Sequence, residues 1–170
     1  MANTYTLIAS STVGGGGATT ITFASIPQTY TDLLLVHSLR ETTNDTTAKI
    51  TFNNNTGNDY SLIRLRGDGS TASSGSSTNN VFLETLCCFS TNTANTFGNT
   101  SLYIPNYTSS NKKSVSIDIV TENNATAAFA YLTAGLFNNT AAITEIDIDA
   151  PTSATFVQYS TAYLYGIKNS

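Results

Sequence analysis

Tryptophan is absent from this 170-residue chain, histidine and methionine occur once each, proline three times, and charged side chains make up only 11%. Each shortage excludes something. With His37 as the single histidine, there is no multi-histidine metal site and no spare base for a Ser-His-Asp arrangement. In a run with Leu35, Val36 and Leu39, that histidine is expected in the core. Seven cationic residues, spread along a chain of net charge -4 and pI near 4.6, do not form the clustered patch that phosphate binding needs. Nucleic acid is therefore not an expected partner. The charged fraction is well under the roughly 25% of a typical soluble domain, and a polar but uncharged surface suits packing against other proteins.

Cysteine is equally sparse, and its two copies, Cys87 and Cys88, are adjacent. Neighbours on a strand point to opposite faces and cannot bridge each other. Two free thiols are expected, at least one of them buried, with no need for an oxidising compartment. Met1 to Ser10 carries neither a basic region nor the apolar core of a secretory signal. No stretch approaches the roughly 20 apolar residues of a membrane helix. The expectation is a soluble protein made in a cytoplasm, without a membrane partner.

What the chain does have is threonine, serine and asparagine, which together fill 67 of 170 positions. Threonine suits an exposed strand face, and serine, asparagine and glycine suit turns. Period-2 alternation recurs throughout, while the 3.6-residue period of helices is hard to find. Strands are expected at Thr4–Ile8, Thr20–Phe23, Asp32–Leu39, Lys49–Phe52, Tyr60–Leu65, Val81–Phe89, Val115–Val120, Phe129–Phe137, Ile143–Ile148 and within Phe156–Ile167. The apolar run Leu33–Val36 reads as a central strand buried on both faces. Ser70–Asn80, all small and polar, reads as a flexible loop, and Ala125–Ala130 is the one tolerable helix candidate. Short strands at regular spacing, eight to ten in all, predict one all-β domain over residues 1–170: an antiparallel β-sandwich, jelly-roll-like.

Several motifs carry chemistry in other settings. Arg66-Gly67-Asp68 matches an adhesion tripeptide, but Gly-Asp-Gly is ordinary hairpin chemistry and the turn is the expected use. Gly14–Gly17 lacks the Lys-Ser or Lys-Thr of a phosphate loop, and a strand pattern follows it, so it reads as a hairpin. Glu145, Asp147 and Asp149 occupy alternate positions, which puts three carboxylates on one strand face. Half a calcium site and a solvated or partner-facing stripe both fit that pattern, and the second is the expectation. Tyr159, Tyr163 and Tyr165 gather near the C-terminus, the last two sharing a face, where they serve either the core or an interface. These six residues are the candidate interface. No catalytic constellation emerges, and neither an enzyme nor a cofactor is expected.

Certain phrases resemble small structural proteins of tailed bacteriophages, especially those of aquatic bacteria and cyanobacteria. They are Thr4–Ser10, Ser25–Leu33, Asn95–Asn99, Ile104–Tyr107, Val120–Thr126 and Gln158–Ile167. The likeness spans nearly the whole chain. It implies a virion β-sandwich, either decorating the capsid or belonging to the tail, and it assigns no functional residue. The resulting expectation is a capsid decoration (cement) protein, a homotrimer bound to the major capsid protein and made in the bacterial host's cytoplasm. The other expectation is a tail-fibre or receptor-binding module that recognises host glycans, with the tyrosines as its support and the missing tryptophan against it.

Overall fold

The computed structural model describes residues 4–124 and 128–168. All regular structure among them is strand: β1 (Tyr5–Thr12), β2 (Thr20–Phe23), β3 (Asp32–Leu39), β4 (Thr47–Phe52), β5 (Tyr60–Gly67), β6 (Ala72–Asn80), β7 (Leu83–Leu86), β8 (Gly98–Ile104), β9 (Lys113–Val120), β10 (Ala130–Phe137), β11 (Ile146–Asp149) and β12 (Thr161–Ile167). They form an antiparallel β-sandwich. One sheet has eight strands in the order β1-β12-β3-β8-β9-β10-β5-β6, and the other has four in the order β2-β11-β4-β7.

Alternation explains why these segments are strands. β8 and β9 bury every second residue, so Leu102, Ile104, Val115, Ile117 and Ile119 point at the opposite sheet. From the four-stranded sheet come Ile21, Phe23, Ile50, Phe52, Leu83, Leu86, Ile146 and Ile148, and one continuous cluster joins both layers. At one end Phe52, Tyr60 and Phe137 close the core, with ring centroids 5.1 to 6.2 Å apart. The Tyr60 hydroxyl accepts from the Phe52 N–H at 2.9 Å and donates to the Asn55 carbonyl at 3.2 Å.

The connectivity is nested. β1 pairs with β12, β2 with β11, β3 with β8 and β4 with β7, as if one long hairpin were rolled up so that alternate pairs fall in opposite sheets. Two hairpins interrupt this series. β5–β6 lies between β4 and β7 and β9–β10 between β8 and β11, and together they extend the larger sheet by four strands beyond β8.

Three expectations need correction. The described strands number twelve, not eight to ten, because β6 exposes both faces and β8 buries Gly98 and Thr100 beside Leu102 and Ile104, so neither shows a full apolar period. Most of the supposed loop Ser70–Asn80 is edge strand β6, whose Ser- and Gly-rich sequence has no apolar period because both of its faces are exposed. β3 is buried on one face only: Leu33, Leu35 and Leu39 are core, whereas Leu34 and Val36 are half-buried on the outer face, which no second layer covers among the described residues. Of the helix candidate Ala125–Ala130, residues 125–127 lie outside the described residues, and Ala130 opens strand β10.

Candidate interaction surface

The outer face of the large sheet can be read in rows, because residues directly paired across antiparallel strands share a face. One row runs Leu7, Tyr165, Leu34, Tyr103, Ser116, Ala134, Ile63, Ser76. The next runs Ser10, Tyr163, Val36, Ser101, Asp118, Leu132, Leu65, Ser74. Two apolar areas result. One, on β1, β12, β3 and β8, contains Leu7, Leu34, Val36 and three tyrosines. The other, on β10 and β5, contains Ile63, Leu65 and Leu132, which are 65%, 60% and 59% exposed. Shallow depressions flank this second ridge, one toward Ser114 and Leu136 and one toward Asp118 and Ala130.

β5 turns part of its apolar set outward. Its apolar Ile63 and Leu65 face solvent, while Arg64 and Arg66 share the inner face with the buried Thr133 and Tyr131. Both arginines are used there. Arg64 forms an ion pair with Glu84 of β7, linking the sheets, and its guanidinium lies 5.4 Å from the Tyr131 ring centre. Arg66 sits 4.6 Å from the centre of the Phe129 ring, a stacking contact that lets a cation be half-buried. The Arg66-Gly67-Asp68-Gly69 segment is the β5–β6 turn: Gly69 has φ +85°, and Asp68 Oδ1 accepts from the N–H groups of Ser70 and Thr71. Those bonds hold the Asp68 carboxyl below its usual range.

The six sequence-derived candidates separate into three places. Tyr163 and Tyr165 do share the outer face of β12, half-buried between β1 and β3. Tyr159 stands apart in the turn before β12, 68% exposed and at φ +72°. Glu145, Asp147 and Asp149 share one face of β11 and its approach, as alternation requires, but this is an interior strand of the small sheet. Thr20 donates to Asp149 Oδ1 and Thr22 to Asp147 Oδ1, each at 2.6 Å, and Glu145 accepts from Asn54. Asp147 is buried rather than solvated. The stripe thus ties β2 and the β4–β5 turn to β11. Among the described residues, no group of three or more His, Cys, Asp and Glu is placed to hold a metal ion.

The reactive side chains are interior. His37 is buried, with Nε2 3.1 Å from Thr85 Oγ1, and desolvation lowers its pKa to about 3, leaving a neutral ring. Cys87 and Cys88 are free and buried, and burial pushes both thiols upward, away from the reactive thiolate. The outward apolar ridge was not singled out from sequence, since alternation in β5 does not say which side faces in. No protein-family model, no curated protein and no solved structure matches this chain.

Proposed function

We propose that this protein acts by binding rather than catalysis, as a capsid decoration (cement) protein of a bacteriophage virion. It assembles as a homotrimer on the major capsid protein of the assembled head. The observation that carries the reading is the outer face of the enlarged sheet, where Ile63, Leu65 and Leu132 form an exposed apolar ridge. Large exposed apolar groups that share one face mark protein contact surfaces. The nested pairing of β1 to β4 with β12, β11, β8 and β7 supports it further: we read it as a jelly roll with two hairpins inserted, an architecture used in viral shells. A protein that binds the assembled shell and not its free subunits stabilises the shell by mass action.

Quantitative mass spectrometry of purified virions tests this directly. A copy number comparable to that of the major capsid protein is expected, and a few copies per particle would sink the decoration reading. Replacing Leu65 and Leu132 together by lysine is expected to weaken co-sedimentation with undecorated heads about tenfold or more. Unchanged binding by that variant would remove the ridge as the contact. A second reading, a glycan-recognising tail module, draws on the exposed ring of Tyr159. A low copy number combined with glycan-array binding lost in Tyr159→Ala would favour it.

A further inference from the structure

We infer that the eight-stranded sheet continues from one molecule into the next, β6 of one copy pairing antiparallel with β1 of a second copy. This rests on the self-association in the proposed function and says how it is made. A sheet edge presents unpaired N–H and C=O groups, and proteins protect such edges with short strands, charges, proline or bulges. The small sheet does so: its edges β2 and β7 are four residues each, and β7 carries Glu84. The large sheet uses neither shortness, charge nor proline: β1 has eight residues and β6 nine, with no charged residue and no proline in either. A register irregularity interrupts each edge, between Leu7 and Ala9 in β1 and between Ser77 and Asn80 in β6, and Ala9–Thr12 and Ala72–Ser77 pair regularly beyond it.

The two edges complement each other in direction and in bulk. All seven pairings in the sheet are antiparallel, so β1 and β6 run in opposite directions. A copy set beside the first in the same orientation therefore brings its β1 alongside β6 as an antiparallel neighbour. β6 turns only Ser74 and Ser76 outward next to Leu65 and Ile63, leaving the flank of the ridge open. β1 brings Tyr5 and Leu7, 56% and 52% exposed, to that same outer face. Head-to-tail pairing covers both bare edges and joins the two apolar areas. A two-fold pairing of β6 with β6 would set serine against serine and leave β1 open. Such a heterologous contact closes into a ring when the rotation between copies allows it.

The test uses the full-length protein in solution. Light scattering is expected to report an oligomer. Ser74→Lys with Ser76→Lys is expected to raise the dissociation constant about tenfold or more while keeping the β-rich circular dichroism, and Ser101→Lys, on an exposed site of β8 in the middle of the sheet, to leave the mass unchanged. Leu7→Cys combined in turn with Ser74→Cys and with Ser76→Cys is expected to give, in at least one pairing, a disulfide ladder extending past the dimer, with each single variant uncrosslinked. A monomeric wild type would overturn the inference. So would dimers from Ser74→Cys or Ser76→Cys alone, or an oligomer indifferent to the lysines. Head binding is scored separately: heads left bare by an intact oligomer would count against decoration and leave the sheet continuation standing.

Discussion

The imidazole of His37 reaches the rest of the polar interior through Thr85, which in turn lies 2.9 Å from Thr100. His37 and Thr100 belong to the large sheet and Thr85 to β7 of the small one, so this short chain of polar groups crosses the sandwich. A polar contact in a low-dielectric core fixes how two layers sit on each other. It also makes stability depend on pH. The folded ring holds its proton only below about pH 3, against about 6.5 for a solvated histidine. Between those values the unfolded chain binds the extra proton, so stability rises with pH across this window and is lost as pH falls through it. The loss between pH 7 and pH 4 is about 3 kcal/mol from this group. His37→Gln keeps a hydrogen-bonding side chain without the titration, and urea unfolding of both proteins at several pH values isolates the term. Equal slopes for the two would refute it. Gly166 is another position fixed by its neighbour, since a Cβ there would stand 2.4 to 2.5 Å from ring atoms of Tyr30. Neither contact is visible in the sequence, because both join segments far apart in it. Only the burial of His37 was legible, from its apolar strand.

At the scale of elements, β2 and β3 have the bounds read from sequence, Thr20–Phe23 from its alternation and Asp32–Leu39 from its apolar run, although β3 keeps only one face in the core. β6 was illegible because, with no face to bury, it needs no pattern, and β5 holds it through the backbone. The candidate surface was readable only in part. The shared face of Tyr163 and Tyr165 follows from their spacing, whereas the outward turn of Ile63 and Leu65 depends on how β5 lies against β10. Loops obey a different logic. The segment from Ser90 to Thr96 has no strand partner, and Arg40 holds it instead: its guanidinium donates to the carbonyls of Ser90, Asn92, Thr93 and Thr96 at 3.0 to 3.2 Å. A planar fork serves four acceptors where an ammonium group cannot. Arg40→Ala is expected to cost about 1–3 kcal/mol and Arg40→Lys nearly as much, with amide exchange quickening first in residues 90–96. Unchanged exchange there would show that the loop holds its shape without the arginine.

The whole molecule depends on pairings between the ends of its chain. β12, formed last in sequence, sits between β1 and β3, and its Ala162 and Leu164 are fully buried. β11 likewise lies between β2 and β4. No half of the chain contains a complete sheet, so the nested eight strands must order together, and closing such long loops precedes any gain from the contacts they make. Refolding is accordingly expected in the range of about milliseconds to seconds, as a single cooperative step. The same topology sets apart what is essential from what is added. Leu164→Pro removes a ladder donor from an interior strand and is expected to abolish the cooperative transition. Ser76→Pro falls on exposed β6, beyond which no further strand lies among the described residues, and is expected to leave the transition in place with a modest loss of stability. Thermal unfolding followed by circular dichroism distinguishes the two. If Ser76→Pro also eliminated the transition, the inserted hairpins would be part of the folding unit itself, and the division between a nested sandwich and its added docking strands would have to be abandoned.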